Sequence, residues 1–200
     1  SLSTKLEKTY IDSNVWFSYV TKGTYEKTYD KARNIIDGII ANPQSVVVIS
    51  DLVILEMVSI LRSKVVQKES FTDSIKSESR IADTLKSKID LYTKEFLAKI
   101  TESTMAKKLV AVESNIPTNE FFRRVVQIQR KTFGKLLDQN FCPICRRPYK
   151  SYRYRGADYN DIQHAIMAQF ARVNRLITFD RGYEFLKPFF SSTFEIQIIR

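Results

Sequence analysis

Four acidic side chains, Asp12, Glu56, Asp161 and Asp180, occupy positions that folding could bring together, and their shared chemistry is that of a hard cation site. Carboxylates gathered within a few ångströms repel one another, and some hold protons unless a divalent ion neutralises them. Oxygen ligands without imidazole or thiolate favour Mg2+ or Mn2+, one ion or two, which keep waters and accept phosphate oxygens as further ligands. Such an ion activates water and stabilises the charge that develops on a phosphodiester. Other reaction types lack their parts. His164 is the only histidine, no G-x-S-x-G elbow exists, and the five glycines form neither a P-loop nor a G-x-G-x-x-G turn.

The elements that must position these acids follow from the apolar pattern. Thr9-Tyr10-Ile11 reads as a strand ending just before Asp12, and Asp12-Ser13-Asn14 supplies capping side chains for a helix through Val15-Trp16-Phe17. A helical pattern over Tyr25–Ile40 stops at Asn42-Pro43. Val46-Val47-Val48-Ile49 is a continuous apolar run, the mark of a strand buried on both faces, and Ser50-Asp51 opens a helix from Leu52 to about Lys64 that carries Glu56. Between Thr72 and Ile100, Ile75, Ala82, Leu85, Ile89, Tyr92 and Phe96 predict a long amphipathic helix. A strand at Leu109–Val112 and a second long helix from Pro117-Thr118 to Leu136 follow, and the two long helices are expected to pair as an arm. A helix over Asp158–Arg172 carries Asp161, a strand Leu176-Ile177-Thr178 leads to the turn Asp180-Arg181-Gly182, and a last strand lies near Phe194–Ile199. Strand–helix alternation of this kind predicts an α/β fold with a mainly parallel sheet, whose strand C-termini are where ligands bind.

Each acid also has a local reading. Asp12, Asp161 and Asp180 suit helix caps or turns, Asp158 is either a supporting acid or the cap of its helix, and Glu56 is the least comfortable as a purely structural residue. Cys142-Pro143-Ile144-Cys145 is half of a zinc knuckle, and a structural Zn2+ needs four ligands. Reduced thiols are expected there, with a metal shared across a dimer as the alternative. His164 is a conceivable third ligand and more readily a packed or hydrogen-bonded residue. After the cysteines, Arg146, Arg147, Tyr149, Lys150, Tyr152, Arg153, Tyr154 and Arg155 interleave cations for phosphates with rings that stack on unpaired bases, or else form a solvated basic loop. Arg123, Arg124, Arg130, Lys131 and Lys135 on the preceding helix would extend that path.

The totals agree with a polyanionic partner. Lys and Arg number 32 against 22 Asp and Glu, a net charge of +10 over 200 residues. No apolar run approaches the roughly 20 residues that cross a bilayer, and two cysteines make no disulfide framework, so no membrane partner and a reducing, cytoplasmic setting are expected.

Tyr10-Ile11-Asp12-Ser13-Asn14, Ile54-Leu55-Glu56, Asn160-Asp161-Ile162-Gln163-His164-Ala165 and Leu176-Ile177-Thr178-Phe179-Asp180 resemble the four sequence blocks of the PIN-domain family, in the family's order. Each block is short; four in order carry more. The resemblance implies a single PIN-like domain over 1–200, a three-layer α/β/α fold and metal-dependent endoribonuclease activity on single-stranded RNA, as in VapC-type toxins. By that similarity Asp12, Glu56, Asp161 and Asp180 hold Mg2+ or Mn2+, and Asn14 and Thr178 support them. It covers a core of about 8–66 and 157–199, leaving a helical insertion at about 70–140 and the basic loop 140–156 unaccounted for. Family members with a zinc ribbon carry two cysteine pairs, and this chain has one. An apolar stripe left over on the long helices would fit a homodimer or an antitoxin protein. The same residues admit a non-catalytic RNA-binding scaffold, or a DNA- or structure-directed nuclease.

Overall fold

A computed structural model describes residues 6–70, 78–113, 116–137 and 157–200. The loop carrying Cys142, Cys145 and Arg146 to Arg155 lies outside the described residues. Five strands, β1 (Glu7–Ile11), β2 (Ser45–Ser50), β3 (Leu109–Val112), β4 (Arg175–Thr178) and β5 (Glu195–Ile198), form one sheet in the order β3-β2-β1-β4-β5. All four pairings are parallel, so every strand points its C-terminal end toward the same edge. The run Val46–Ile49 is buried along its length, as a central parallel strand requires.

Between β1 and β2 lie α1 (Ser13–Val20) and α2 (Tyr29–Ala41); between β2 and β3 lie α3 (Asp51–Ser70) and α4 (Glu78–Met105). α5 (Thr118–Leu137) and α6 (Tyr159–Phe170) return the chain to β4, after which a short 3-10 turn, Arg181–Phe185, and α7 (Lys187–Phe190) lead to β5. Right-handed crossovers put the first four helices on one face and the returning ones on the other. The packing agrees: α1 touches α2, α3 and α4, whereas α5 lies on α6. The chain is thus α/β, with an all-parallel sheet flanked by helices.

Two sequence expectations change. The helix expected from Tyr25 starts at Tyr29, because the Tyr25 ring is held between Phe17 and Tyr92, with centroids 5.9 Å from each. The long helices do not form a paired arm. α4 inserts Phe96 edge-on against Trp16, 5.7 Å between centroids, while α5 buries Val125 and Ile128 beside α6. Amphipathic spacing showed that each helix hides one face, not which neighbour hides it. On the α5 face offered as an RNA path, Arg124 bonds to Gln169 of α6 and lies over the Phe190 ring, Arg123, Arg130 and Lys131 are exposed, and the side chain of Lys135 lies outside the described residues. Among the described residues, no helix is long and apolar enough to cross a membrane.

Candidate metal centre

The chain leaves β1 at Ile11, whose neighbours across the sheet are β2 and β4, and the next residue is Asp12. Helical connections leave β1 toward β2 and come back toward β4, so the gap between β1 and β4 is where a parallel sheet opens a crevice. Asp12 lies there, 3% exposed, with its backbone N–H on the Ile177 carbonyl at 3.0 Å. Its carboxylate accepts three hydrogen bonds: from the Ser13 N–H at 2.9 Å, from Asn14 Nδ2 at 2.9 Å and from the Thr178 hydroxyl at 2.7 Å. Asn14 also donates to Thr178 Oγ1 and accepts from the Phe179 N–H, which ties the end of β1 to the end of β4. Asn14 and Thr178 thus hold the Asp12 carboxylate in place.

Glu56 arrives from the second turn of α3, whose core face is Val53, Met57, Leu61 and Val65, four residues apart. Its Oε2 accepts from the Ser13 hydroxyl at 2.5 Å and is 2.8 Å from His164 Nε2, and its Oε1 accepts from Asn160 Nδ2 at 3.3 Å. The other ring nitrogen of His164 is 2.8 Å from the Tyr10 hydroxyl, which is 2.6 Å from Ser50 Oγ. A buried chain Ser50–Tyr10–His164–Glu56 therefore runs from β2 through β1 and α6 to α3. Burial pulls the imidazole toward neutrality, but the Glu56 bond and the charge of Asp12 outweigh it and hold His164 above its ordinary range. Burial would also raise Glu56; the bonds from His164 and Ser13 overcome it and hold the carboxyl below its usual value. Both directions describe a charged pair.

Asp161 and Asp158 close a capping box on α6. The Asp161 N–H donates to Asp158 Oδ1 at 3.0 Å, and the Asp158 N–H to Asp161 Oδ2 at 3.1 Å. Asp158 is thus the helix cap. Asp180 is exposed, accepts from the Gly182 N–H at 2.7 Å and starts the 3-10 turn. Both local readings of these acids hold, yet each bond occupies one carboxylate oxygen and leaves lone pairs on the other. Asp161 is nearly buried, and burial, then the charges of Asp158, Asp180 and Asp12, push its carboxyl up to about 9. Burial likewise lifts Asp12 above its usual range, against the pull of His164 and the Thr178 bond. Such mutual disfavouring arises only when acids share a poorly solvated region.

Among the described residues, the group compact enough to grip an ion is Asp12, Glu56 and His164, with one ligand atom from each within 4.8 Å of the others. The four-acid set of the sequence is therefore divided: Asp12 and Glu56 stand together with His164, while Asp161 feels the charges of Asp12 and Asp180 from outside that group. Both nitrogens of His164 are already engaged, so it serves Glu56 as an orienting partner, the role that groups behind a metal ligand commonly play. The sequence favoured a packed or hydrogen-bonded His164 over a zinc ligand, and the bonds to Tyr10 and Glu56 agree, but its place beside the acids was not foreseen. The usable signal was its place three residues after Asp161, one helical turn along the same face. Tyr10, two residues before Asp12 on the same side of β1, was readable from strand alternation, whereas Ser13, Ser50 and Asn160 had no signal beyond their types. Replacing His164 by Leu removes one of the two side-chain partners of Glu56 Oε2 and of the Tyr10 hydroxyl, leaves each its serine bond, and is expected to cost about 2–4 kcal/mol in chemical denaturation because Glu56 loses its cationic partner, with less lost in His164→Gln.

Compared with family models, with curated proteins and with solved structures, the chain matches none.

Proposed function

We propose that the chain is a metal-dependent endoribonuclease of the PIN type, hydrolysing phosphodiester bonds of single-stranded RNA with Mg2+ or Mn2+. The observation that carries the reading is the meeting of Asp12 and Glu56 at the C-terminal edge of a parallel sheet, with Asp161 nearby, its carboxyl lifted to about 9 by burial and then by the charges of Asp158, Asp180 and Asp12. A divalent cation relieves that repulsion. The donors suit one: hard carboxylate oxygens, each oriented by neighbouring N–H or O–H groups.

In this reading Asp12 and Glu56 are the inner ligands, and Asp161 and Asp180 complete the shell directly or through water. When bound, the ion supplies Lewis acidity and an activated water. Ser13, Asn14 and Thr178 fix the Asp12 carboxylate, and the His164–Tyr10–Ser50 chain fixes Glu56. The net charge of +10 favours RNA's approach, and the segment Arg146 to Arg155 is the proposed strand guide. An antitoxin protein or a second copy of the chain are the protein partners that the family resemblance suggests.

The test is cleavage of a labelled single-stranded RNA by the purified protein with Mn2+ and with EDTA, beside duplex RNA and flap DNA. Cutting of the single strand that EDTA abolishes is expected. Binding of the RNA with no product in either condition would make the protein a scaffold and end the enzymatic reading.

A further inference from the structure

The bond from Asn160 Nδ2 to Glu56 Oε1, 3.3 Å long and open to solvent, sets the first turn of α6 against the second turn of α3 beside the candidate metal centre. A large apolar side chain adjoins each of its partners in sequence, and both are exposed: Leu55 to 68% and Tyr159 to 47%. Single apolar side chains on a surface are ordinary. Two that adjoin the partners of one bond, where that bond holds a candidate ligand, give the site an apolar edge.

Tyr159 is the more informative of the two. It is the first residue of α6, between Asp158 and Asn160, so its Cα lies about 3.8 Å from that of each. The backbone around it is fixed, because Asp158 and Asp161 close their capping box at 3.0 and 3.1 Å. Its ring, by contrast, is engaged with nothing: among the described residues it has no hydrogen bond, ring contact or overlying cation. The helix needs no aromatic there, since proline or an acid suits a first turn better. In sequence Tyr159 stands four residues after Arg155, the end of the segment in which Tyr149, Tyr152 and Tyr154 interleave with arginine and lysine.

We propose that Tyr159 is a substrate-positioning residue whose ring stacks on an unpaired base of the RNA, next to the phosphate presented to the metal centre. This rests on the nuclease reading above and adds to it a source of single-strand preference. A base paired and stacked within a duplex has no free face to offer, whereas a splayed one does. Every base has a π-face, so the contact orders the strand without selecting a sequence. The net charge of +10 draws phosphates in, and the ring supplies the orientation that charge alone lacks.

The experiment uses the full chain and its Tyr159→Ala and Tyr159→Phe variants, with a labelled single-stranded RNA and Mn2+ as the probes. In Tyr159→Ala the KM for RNA is expected to rise about tenfold, the worth of one base stacked on an aromatic ring, while Tyr159→Phe keeps the ring and restores a KM near the parent's. Affinity for Mn2+ in calorimetric titration is expected to be equal in all three. With an abasic ribose placed in turn at the positions flanking the mapped cut, one position is expected to raise the parent's KM and leave that of Tyr159→Ala unchanged, the coupling that direct contact requires. Equal KM in the parent and Tyr159→Ala would overturn the stacking role and leave the nuclease reading standing, as would a raised KM that shows no coupling at any abasic position. Weaker Mn2+ binding by Tyr159→Ala would assign the ring to holding Asn160 and Glu56 and overturn the substrate contact. A parent protein that leaves the RNA whole would overturn both readings.

Discussion

Replacing Asp12 by asparagine is expected to lower RNA cleavage on the order of a thousandfold while moving the thermal midpoint by no more than a few degrees. The activity loss follows from position. Asp12 lies at the gap between β1 and β4, its N–H on the Ile177 carbonyl, and it belongs to the compact group with Glu56 and His164. An amide brings no charge to a cation, and it cannot accept at both of its ends. In either orientation its NH2 would face a donor, the Ser13 N–H or Asn14 Nδ2, since the carboxylate accepts from both. That mismatch destabilises. Against it, the variant no longer carries a carboxyl that burial already makes reluctant to ionise, and with its NH2 toward Ser13 its oxygen keeps the Asn14 and Thr178 bonds. The two effects oppose each other, which is why little change in folding is expected. Cleavage rates within threefold of the parent, measured on protein shown to be folded by circular dichroism, would remove Asp12 from the mechanism.

Metal-free stability is expected to fall as pH rises from about 4 toward 9, by a few kcal/mol in all, and Mn2+ is expected to flatten that slope. The sign comes from Asp161. Its folded carboxyl is pushed up to about 9 from an ordinary value of 3.8, so between those values the folded chain keeps a proton that the unfolded chain has lost. Stability is then fully present below the lower value and drains away as pH climbs through the upper one. Asp12 and His164, also raised in the folded state, act in the same direction. Glu56, held below its usual value of 4.5, acts oppositely and withdraws its contribution only as the solution becomes strongly acidic. At neutral pH the site should therefore release about one proton when Mn2+ enters, because a ligating carboxylate must be ionised. Titration calorimetry in two buffers of different ionisation enthalpy measures that release. No proton release, with Mn2+ bound, would mean that Asp161 lies outside the coordination shell.

How far the amino acids announced this arrangement varies from one part to another. The strands were the most legible, since Val46–Ile49 is apolar throughout and proves to be buried throughout. The carboxylates could be found because their type is scarce in apolar surroundings and because strand ends mark the functional edge. Their separate duties could not be. Asp161 reads equally as cap and as ligand, and the structure shows the capping bonds while its lifted carboxyl shows the shared field. The relay behind Glu56 joins residues 10, 50, 56 and 164, brought together by the parallel order of the sheet, and no spacing within a single segment encodes such a meeting.

The strand order has a consequence for how the protein is made. β1 sits at the middle of the sheet, yet one of its two neighbours, β4, begins at residue 175. During synthesis the first strand must wait, flanked only by β2, until nearly all of the described chain has left the ribosome. Asp12 meets Thr178 only then. Pairings this distant along the chain form slowly, after the local helices. In a nascent chain the bonds that hold the Asp12 carboxylate would thus stay incomplete, and the proposed ion site unformed, until β4 had docked beside β1.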